Sequence, residues 1–263
     1  MTKKKPDLSI VLPCFNESNN ITITIKKIKK IIEKSHYFIE IIVIDGCSTD
    51  NTPEELKTIF KYLPKDHFKL ILNKKRGGYG NDIMQALSQA NGNVLAWTHA
   101  DLQTDPQDVI EAYELYLKLS SCEETKLFIK GKRKNRRLIE TCFSFGMQVV
   151  SLLALNIYLS DINAQPKLFS RSYYNKHLKR GYPMDFSLDL FSLYQAKTNG
   201  YSIKTVPVYF KKRIHGEAKG GGGGWKMRIK LIKRTFNYIF QLKKNLNLSP
   251  PQPPNPIIPT SQR

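Results

Sequence analysis

The stretch GNVLAWTHADLQTDP, residues 92–106, combines two features that together decide the fold. NVLAW is an apolar run with the length of a buried strand, and the polar loop after it ends in the dipeptide DP. His99, Asp101 and Gln103 stand at alternate positions of the loop, so they can converge on one side of an extended segment. Carboxylate, amide oxygen and imidazole suit Mg²⁺ or Mn²⁺, and the imidazole favours Mn²⁺. The alternative is a polar loop without a ligand, in which Asp105 only begins the next helix.

Upstream of this stretch, strand-like and helix-like segments alternate. Strands are predicted at 8–12 (LSIVL), 39–45 (IEIIVID), 69–72 (KLIL) and 93–97 (NVLAW), and helices at 18–34, 52–63 and from the turn RGGYG, 76–80, to about residue 90. This alternation predicts an α/β fold with a mostly parallel central sheet and helices on both faces. Ligands of such sheets bind outside the carboxyl ends of the strands.

Polar residues follow three of these strands. Asn16 and Glu17 come after VLPCF, Asp45 opens the turn DGCSTD, and the HADLQTDP loop follows the fourth strand. Asp45 by itself is better explained as a turn-forming residue. Because the carboxyl ends of parallel strands share one edge of the sheet, the three sets together predict a binding site there.

The Gly-rich turn RGGYG, 76–80, adds a possible phosphate contact at the same edge. Gly78 and Gly80 would let the backbone approach a ligand, and Arg76 is a cation beside it. The start of the following helix offers backbone N–H groups to phosphate. The spacing is neither a P-loop nor a well-placed GxGxxG, so a tight turn without a ligand is an equal alternative.

The second half is less regular. A helix is predicted at 107–119, a strand at 127–133 (LFIKGKR), an apolar helix at 142–159, a loop at 161–169, a helix at 186–200 and a strand at 201–210. Polar residues within 142–159 favour a core or interfacial helix over a membrane span. We expect a catalytic domain over 1–220, a glycine linker and basic amphipathic helix over 221–248, and a disordered Pro-rich tail over 249–263.

The bulk composition indicates an anionic partner. The chain has 42 Lys and Arg against 22 Asp and Glu, which gives a net charge of +20. Nucleic acid, an anionic membrane surface and phosphorylated substrates all fit this excess. The four cysteines form no CxxC or CxxH pair, which fits a reducing compartment, and the N-terminus lacks the pattern of a signal peptide.

Five motifs in order give the chain a family resemblance over about residues 8–220. VLPCFNE, VIDGCSTDNT, GNVLAWTHADLQTDP, FIKGKR and VPVYFKKRIHGEAK resemble the motifs of the family 2 glycosyltransferases. The resemblance is to the branch of dolichol-phosphate mannose synthases and polyprenyl-phosphate glycosyltransferases. It implies the GT-A fold and an inverting hexosyltransferase that moves a sugar from a nucleotide-diphosphate donor to a lipid phosphate.

The resemblance also assigns roles by position. Metal would be held by Asp101, Gln103 and the less certain His99, and Asp101 would also act in catalysis. Phosphates of donor and acceptor would meet Arg133, Arg213 and Lys219, the last two also catalytic. The base, ribose and phosphates of the nucleotide sugar would be held by Pro13, Asn16, Glu17, Asp45, Arg76, Gly78, Gly80 and Asp101.

The chain departs from the family pattern at four positions. His99 replaces the first aspartate of the metal motif, and Gly46 replaces the second aspartate of the VDDGS-like motif. Lys132 and Ala218 stand where the family has serine. Because the metal motif loses one negative charge, we expect weaker Mg²⁺ binding and a less certain dependence on metal.

Two other functions stay open. Transfer to a sugar hydroxyl would require a general base, and Asp185 or Asp189 in YPMDFSLD are the candidates. A non-catalytic basic binding protein on this fold is the alternative from another class. Nucleic acid is not expected, because aromatic residues are not interleaved with the basic runs.

The C-terminal segment bears on where the protein acts. Apolar residues fall near one helical face, with lysines and arginines elsewhere: Trp225, Ile229, Ile232, Phe236, Ile239, Phe240 and Leu246. Such a helix could lie in an anionic membrane interface or pack against the protein's own core. We expect a protein of the cytoplasm that is peripheral on the cytoplasmic face of a membrane.

Overall fold

The computed structural model describes residues 4–122, 126–134, 148, 150, 152–211 and 225–248, with side chains of 233–244 in the last segment. Its strands are β1 (Leu8–Cys14), β2 (Ile39–Asp45), β3 (Phe68–Leu72), β4 (Val94–Trp97), β5 (Leu127–Lys134), β6 (Lys167–Ser170) and β7 (Ser202–Tyr209). Its helices are α1 (Ile21–Lys34), α2 (Thr52–Phe60), α3 (Tyr79–Gln89), α4 (Gln107–Ser120), α5 (Arg171–Tyr173, continued by the π-helical turn Tyr174–Leu178), α6 (Leu188–Thr198) and α7 (Trp225–Leu248).

The strands of the described residues form one mixed sheet in the order β3-β2-β1-β4-β6-β5-β7. The pairs β1–β2, β2–β3, β1–β4 and β5–β7 are parallel, and β6 is antiparallel to both β4 and β5. Every strand except β6 therefore ends at the same edge of the sheet. This confirms the predicted α/β fold with a mostly parallel sheet.

The strand β6 corrects the predicted loop at 161–169. Residues 167–169 belong to a strand that lies between β4 and β5, with Trp97 opposite Lys167 and Phe128 opposite Phe169. The short segment KLFS begins with a lysine, so it lacks the apolar run expected of a central strand. Its hydrogen-bonding partners come from strands about 40 and 70 positions away, which local pattern cannot report.

Helices cover both faces of the sheet because side chains alternate along β2. Ile42 and Ile44 belong to a core cluster with residues of α3 and α6, whereas Ile41 and Val43 belong to a second cluster with residues of α1, α2 and α4. Strands buried on both faces need continuous apolar runs, and β2 is buried at all seven positions. The sheet edge at the strand ends is left for polar loops.

The middle of α7 packs against the protein's own core. Ile239 is fully buried, Thr235 is 5% exposed, and Tyr238 and Leu242 are partly buried against the first cluster. These positions are spaced by three or four residues, so they form one helical face. Phe240 lies on another side of the helix and is 59% exposed. Core packing therefore accounts for part of the apolar surface of α7.

The apolar segment 142–159, predicted as a core or interfacial helix, lies only partly within the described residues. Residues 152–155 are helical, whereas 142–147, 149 and 151 lie outside the description, as do the predicted boundary at 220 and the tail at 249–263. Leu155 and Leu159 are buried in the first core cluster. In the described part of the chain, we find no helix with the length and apolarity needed to cross a bilayer.

Candidate functional site

Three strand ends meet directly at the shared edge of the sheet. The N–H of Gly46 donates to the carbonyl of Cys14 (2.9 Å), which joins the exits of β1 and β2. The N–H of Asn73 donates to the carbonyl of Asp45 (3.1 Å), which joins β2 to β3. On the other side, β4 pairs with β1 in parallel. The polar residues predicted to converge therefore do lie at one edge.

The loops after β1 and β2 hold each other in place. The N–H of Asn16 donates to Ser48 Oγ (2.8 Å), and its side-chain oxygen accepts from the N–H of Thr49 (2.7 Å). Asn16 adopts a left-handed conformation (φ 53°), which asparagine tolerates better than most residues. Asp45 is 1% exposed and accepts from both the N–H and the hydroxyl of Ser48. The two polar turns thus form one rigid unit.

Glu17 helps to fix this unit. Its N–H donates to Thr52 Oγ1 (2.8 Å), and its carboxylate accepts from Asn20 Nδ2 (3.1 Å). The residue is 8% exposed. Pro13 lies one position before the end of β1, opposite Ile44 of β2. Both residues lie where the family resemblance expects nucleotide contacts.

The Gly-rich turn packs against a loop from the second half of the chain. The N–H groups of Gly80 and Asn81 both donate to the carbonyl of Met184, at 2.9 and 3.2 Å. Gly78 has φ 98°, a conformation that favours glycine. The expectation that the start of α3 offers free N–H groups to phosphate is therefore wrong for these two amides. Arg76 is exposed, and its guanidinium lies 3.6 Å from the centre of the Phe15 ring.

The loop after β4 keeps its three candidate ligands partly accessible. His99, Asp101 and Gln103 are each half-buried, and an oxygen of Asp101 accepts from the N–H of Gln103 (3.1 Å). Within the described residues, no three His, Cys, Asp or Glu side chains cluster as a protein-only metal cage would require. Mg²⁺ and Mn²⁺ sites commonly use one or two carboxylates with phosphate oxygens of the substrate. One carboxylate with nearby amide and imidazole groups fits that kind of site.

Two basic residues, Arg133 and Lys211, lie near the ends of β5 and β7. The N–H of Lys211 donates to the carbonyl of Gln103 (2.8 Å), so the chain leaving β7 touches the loop after β4. Arg133 forms an ion pair with Asp161 (Nε–Oδ1 2.8 Å) and lies 5.8 Å from the Phe210 ring. Arg213 and Lys219, which are predicted to contact phosphates of donor and acceptor, lie outside the described residues.

A buried polar cluster beneath this edge was not predicted. Lys167 is fully buried, and its ammonium donates to Asp189 Oδ1 (3.1 Å) and to the carbonyls of Ile162 and Ala164. Gln165 donates to the same oxygen of Asp189 (2.8 Å) and to the hydroxyl of Tyr79 (3.2 Å). Burial lowers the pKa of Lys167 despite the nearby carboxylate. A lysine in a presumed loop carried no sequence signal for this role.

A second buried lysine lies opposite Lys167 on the neighbouring strand. Lys130 is 2% exposed, and its ammonium donates to the carbonyls of Ser160 (2.6 Å) and Asp161 (2.9 Å). Burial, and secondarily the charge of Lys167, lowers its pKa to about 7. Two buried lysines therefore lie side by side on β5 and β6, beneath the end of β5 that bears Arg133.

The two carboxylates named as candidate bases differ in environment. Asp189 is 2% exposed and engaged by Lys167 and Gln165. Asp185 is half-buried, and its carboxylate pairs with Arg234 Nε of α7 (3.1 Å). Each carboxylate is therefore already engaged by a cation of the protein.

A mixed sheet in this strand order, with its polar site at the shared edge and a single reversed strand, defines a GT-A-type α/β protein. The chain belongs to Glycosyl transferase family 2, because the model of that family matches residues 9–177. This confirms the predicted family and the class of enzyme, a glycosyltransferase.

Relatives with curated names agree with this assignment. The chain is 25% identical over 241 residues to a dolichol-phosphate mannosyltransferase of Pyrococcus furiosus, covering 90% of this chain and 64% of that protein. It is 30% identical over 108 residues to an undecaprenyl-phosphate 4-deoxy-4-formamido-L-arabinose transferase of Yersinia enterocolitica, covering 41% of this chain and 33% of that protein. The chain thus spans less than two thirds of either relative.

Solved structures share the fold. Glucosyl-3-phosphoglycerate synthase of Mycobacterium tuberculosis in complex with UDP superposes with a TM-score of 0.69 at 15% identity, covering 91% of this chain and 80% of that one. A further structure of the same synthase contains Mn²⁺, UDP and glucosyl-3-phosphoglycerate and has a TM-score of 0.66 at 14% identity, with coverages of 90% and 80%. At these identities the likeness establishes the GT-A fold.

Proposed function

We propose that the protein transfers a sugar, with inversion, from a nucleotide-diphosphate sugar to a polyprenyl phosphate at a membrane surface. The observation that carries this proposal is the hydrogen bond from Lys211 N–H to the Gln103 carbonyl (2.8 Å). It joins the start of the basic segment after β7 to the loop that would hold the donor diphosphate. The names of the relatives from Pyrococcus and Yersinia, both polyprenyl-phosphate sugar transferases, support the same acceptor class.

The donor would lie along the strand ends of the first half. Its base and ribose would contact Pro13, Asn16 and Asp45, while Glu17 would keep the loop after β1 in position through Thr52. Arg76, with Gly78 and Gly80 behind it, would face the phosphates as an exposed cation. A rigid pair of loops suits this role because binding then orders few additional side chains.

A divalent metal would be held by Asp101 and Gln103, with His99 as a third group. When bound, Mn²⁺ or Mg²⁺ would offset the negative charge of the donor diphosphate. Asp101 is kept in place by the N–H of Gln103, so its carboxylate is oriented without a ligand. Asp101 is the one carboxylate among these three groups, so we expect weaker binding of Mg²⁺ than a second aspartate at position 99 would give.

The acceptor phosphate would meet Arg133, Arg213 and Lys219. A phosphate oxygen is already anionic at neutral pH, so the reaction requires positioning and charge stabilisation rather than a strong base. The ion pair between Asp189 and Lys167 (3.1 Å) supports this choice over a hydroxyl acceptor, because the Asp189 carboxylate already accepts hydrogen bonds from Lys167 and Gln165. The cations near the ends of β5 and β7 would counter the charge of the two phosphate groups.

Membrane contact would come from the exposed side of α7. Phe240 is 59% exposed, and Lys233, Lys243 and Lys244 are exposed on the same helix. An apolar residue among lysines suits an anionic interface, and the fixed inner face of α7 would hold the helix on the catalytic domain. This arrangement would place the protein on the cytoplasmic face of a membrane, near a lipid-linked acceptor.

The test is a transfer assay with UDP- and GDP-sugars, polyprenyl phosphate, and either Mn²⁺ or Mg²⁺. Formation of a polyprenyl-phosphate sugar supports the proposal. Transfer only to a sugar hydroxyl would refute the lipid-phosphate acceptor, and binding of a donor without any transfer or hydrolysis would favour a non-catalytic protein. An Asp101→Ala variant serves as the inactive control.

A further inference from the structure

Gly46 and Asp82 share one space at the donor edge of the sheet. The family resemblance expects a second carboxylate at position 46, where this chain has glycine. A Cβ added to Gly46 would lie 2.5 Å from Oδ2 of Asp82 and 3.5 Å from the carbonyl oxygen of Cys14. Gly46 is outside the left-handed region. A side chain at position 46 would therefore require the Asp82 carboxylate to shift, whereas the backbone conformation sets no barrier there.

Asp82 is anchored where the missing carboxylate would be. It lies in the first turn of α3, is 6% exposed, and accepts from Asn73 Nδ2 through Oδ1 (3.0 Å). Asn73 in turn donates its N–H to the carbonyl of Asp45 (3.1 Å). Asp82 is thus tied to the ends of β2 and β3, although it lies 36 positions after Gly46 in sequence.

Burial and a neighbouring carboxylate both act against ionisation of Asp82. Burial is the main cause that raises the pKa of Asp82, and the nearby charge of Asp45 raises it further, against hydrogen bonds from Asn73 and Asn81. Two neighbouring buried carboxylates, one at the end of β2 and one in the first turn of α3, repel each other and lose hydration. Hydrogen-bond donors on a ligand would relieve both costs.

We propose that Asp82 supplies the second carboxylate of the donor-base pocket, which Gly46 lacks, and that Asp45 and Asp82 together select guanine over uracil. The inference rests on the proposed function, since it assumes a nucleotide donor at this edge. Carboxylates only accept hydrogen bonds. Guanine presents adjacent N1–H and N2–H₂ donors, whereas the single N3–H of uracil is flanked by two carbonyl oxygens that a second carboxylate would repel.

The first test measures the affinities of GDP and UDP by calorimetry for the natural protein, for Asp82→Asn and for the exposed control Asp66→Asn. We expect GDP to bind at least about 10-fold more tightly than UDP, as one charged hydrogen bond allows. Asp82→Asn should lose about 10- to 100-fold in GDP affinity with little change for UDP. Its melting temperature should not fall, because the repulsion with Asp45 is removed, and Asp66→Asn should behave like the natural protein.

The second test exchanges the two positions. Gly46→Asp alone should lower both the melting temperature and GDP affinity, because its Cβ collides with Asp82. Adding Asp82→Ala should restore the melting temperature and recover at least about 10-fold in GDP affinity. A double variant no better than Gly46→Asp would overturn the shared-space assignment.

The outcomes separate this inference from the function on which it rests. Tighter binding of UDP than GDP by the natural protein, or an unchanged GDP-to-UDP ratio in Asp82→Asn, would refute the role of Asp82 while leaving a nucleotide donor in place. Binding of neither nucleotide, with or without Mn²⁺, would refute the proposed function and the inference together.

Discussion

The buried pair of Lys167 and Asp189 gives the most quantitative prediction. Replacing Asp189 by Asn keeps the shape of the side chain but removes the only anion hydrogen-bonded to Lys167 Nζ within the described residues. Lys167 is fully buried, so in this variant its ammonium would keep only the carbonyls of Ile162 and Ala164 as hydrogen-bond acceptors. Breaking a buried ion pair from one side costs about 3–5 kcal/mol. For a chain of this size, that corresponds to roughly 6–20 °C in melting temperature.

The pH dependence distinguishes lost charge from lost packing. Burial already lowers the pKa of Lys167, and loss of Asp189 lowers it further. Between this lowered pKa and about 10.4, the unfolded chain binds more protons than the folded protein, so stability rises with pH. The loss in free energy of unfolding caused by Asp189→Asn, measured by urea denaturation, should therefore be largest near pH 7 and shrink towards pH 10.

Two results would refute this reasoning. A deficit below about 1 kcal/mol, comparable to that of the exposed control Asp66→Asn, would mean that the pair contributes little. A large deficit that is constant with pH would assign the effect to packing. The same variant, assayed well below its melting temperature, should retain kcat within about 10-fold, whereas loss of a general base costs about 10²- to 10⁴-fold.

Three further predictions concern the loop after β4, helix α7 and the Gly-rich turn. Asp101→Ala, or removal of divalent metal by EDTA, should reduce transfer by at least about 100-fold with unchanged folding by circular dichroism, and full activity would contradict the metal assignment. Phe240→Ser should weaken binding to anionic vesicles without lowering the melting temperature. Ile239→Ala should instead cost about 2–5 kcal/mol in stability and leave vesicle binding of the folded protein intact. Equal effects of the two variants in both assays would contradict the assigned faces of α7. Gly80→Ala places its Cβ against the carbonyl of Pro183, so denaturation should show a loss of about 1–3 kcal/mol, and a neutral result would mean that this loop is free to move.

The sequence alone was sufficient for the elements that depend on neighbours along the chain. The apolar runs of β1, β2 and β4 and the polar residues directly after them were recognisable because strand burial and turn formation are encoded over a few adjacent positions. Since parallel strands end at one edge, Asn16, Asp45 and Asp101 could be placed together without coordinates. The motif order likewise indicated the family that the comparison with family 2 confirmed.

Only the tertiary structure decided the features that join distant positions. The reversed strand β6 begins with Lys167, whose burial depends on Asp189, 22 residues further along the chain. The carboxylate of Asp82 fills the space beside Gly46. The carbonyl of Met184 accepts hydrogen bonds from the backbone amides of Gly80 and Asn81 at the start of α3. Helical periodicity showed that α7 is amphipathic, but not which of its apolar residues faces the core. Each of these outcomes depends on which side chains meet across the fold, and local patterns contain no information about that pairing.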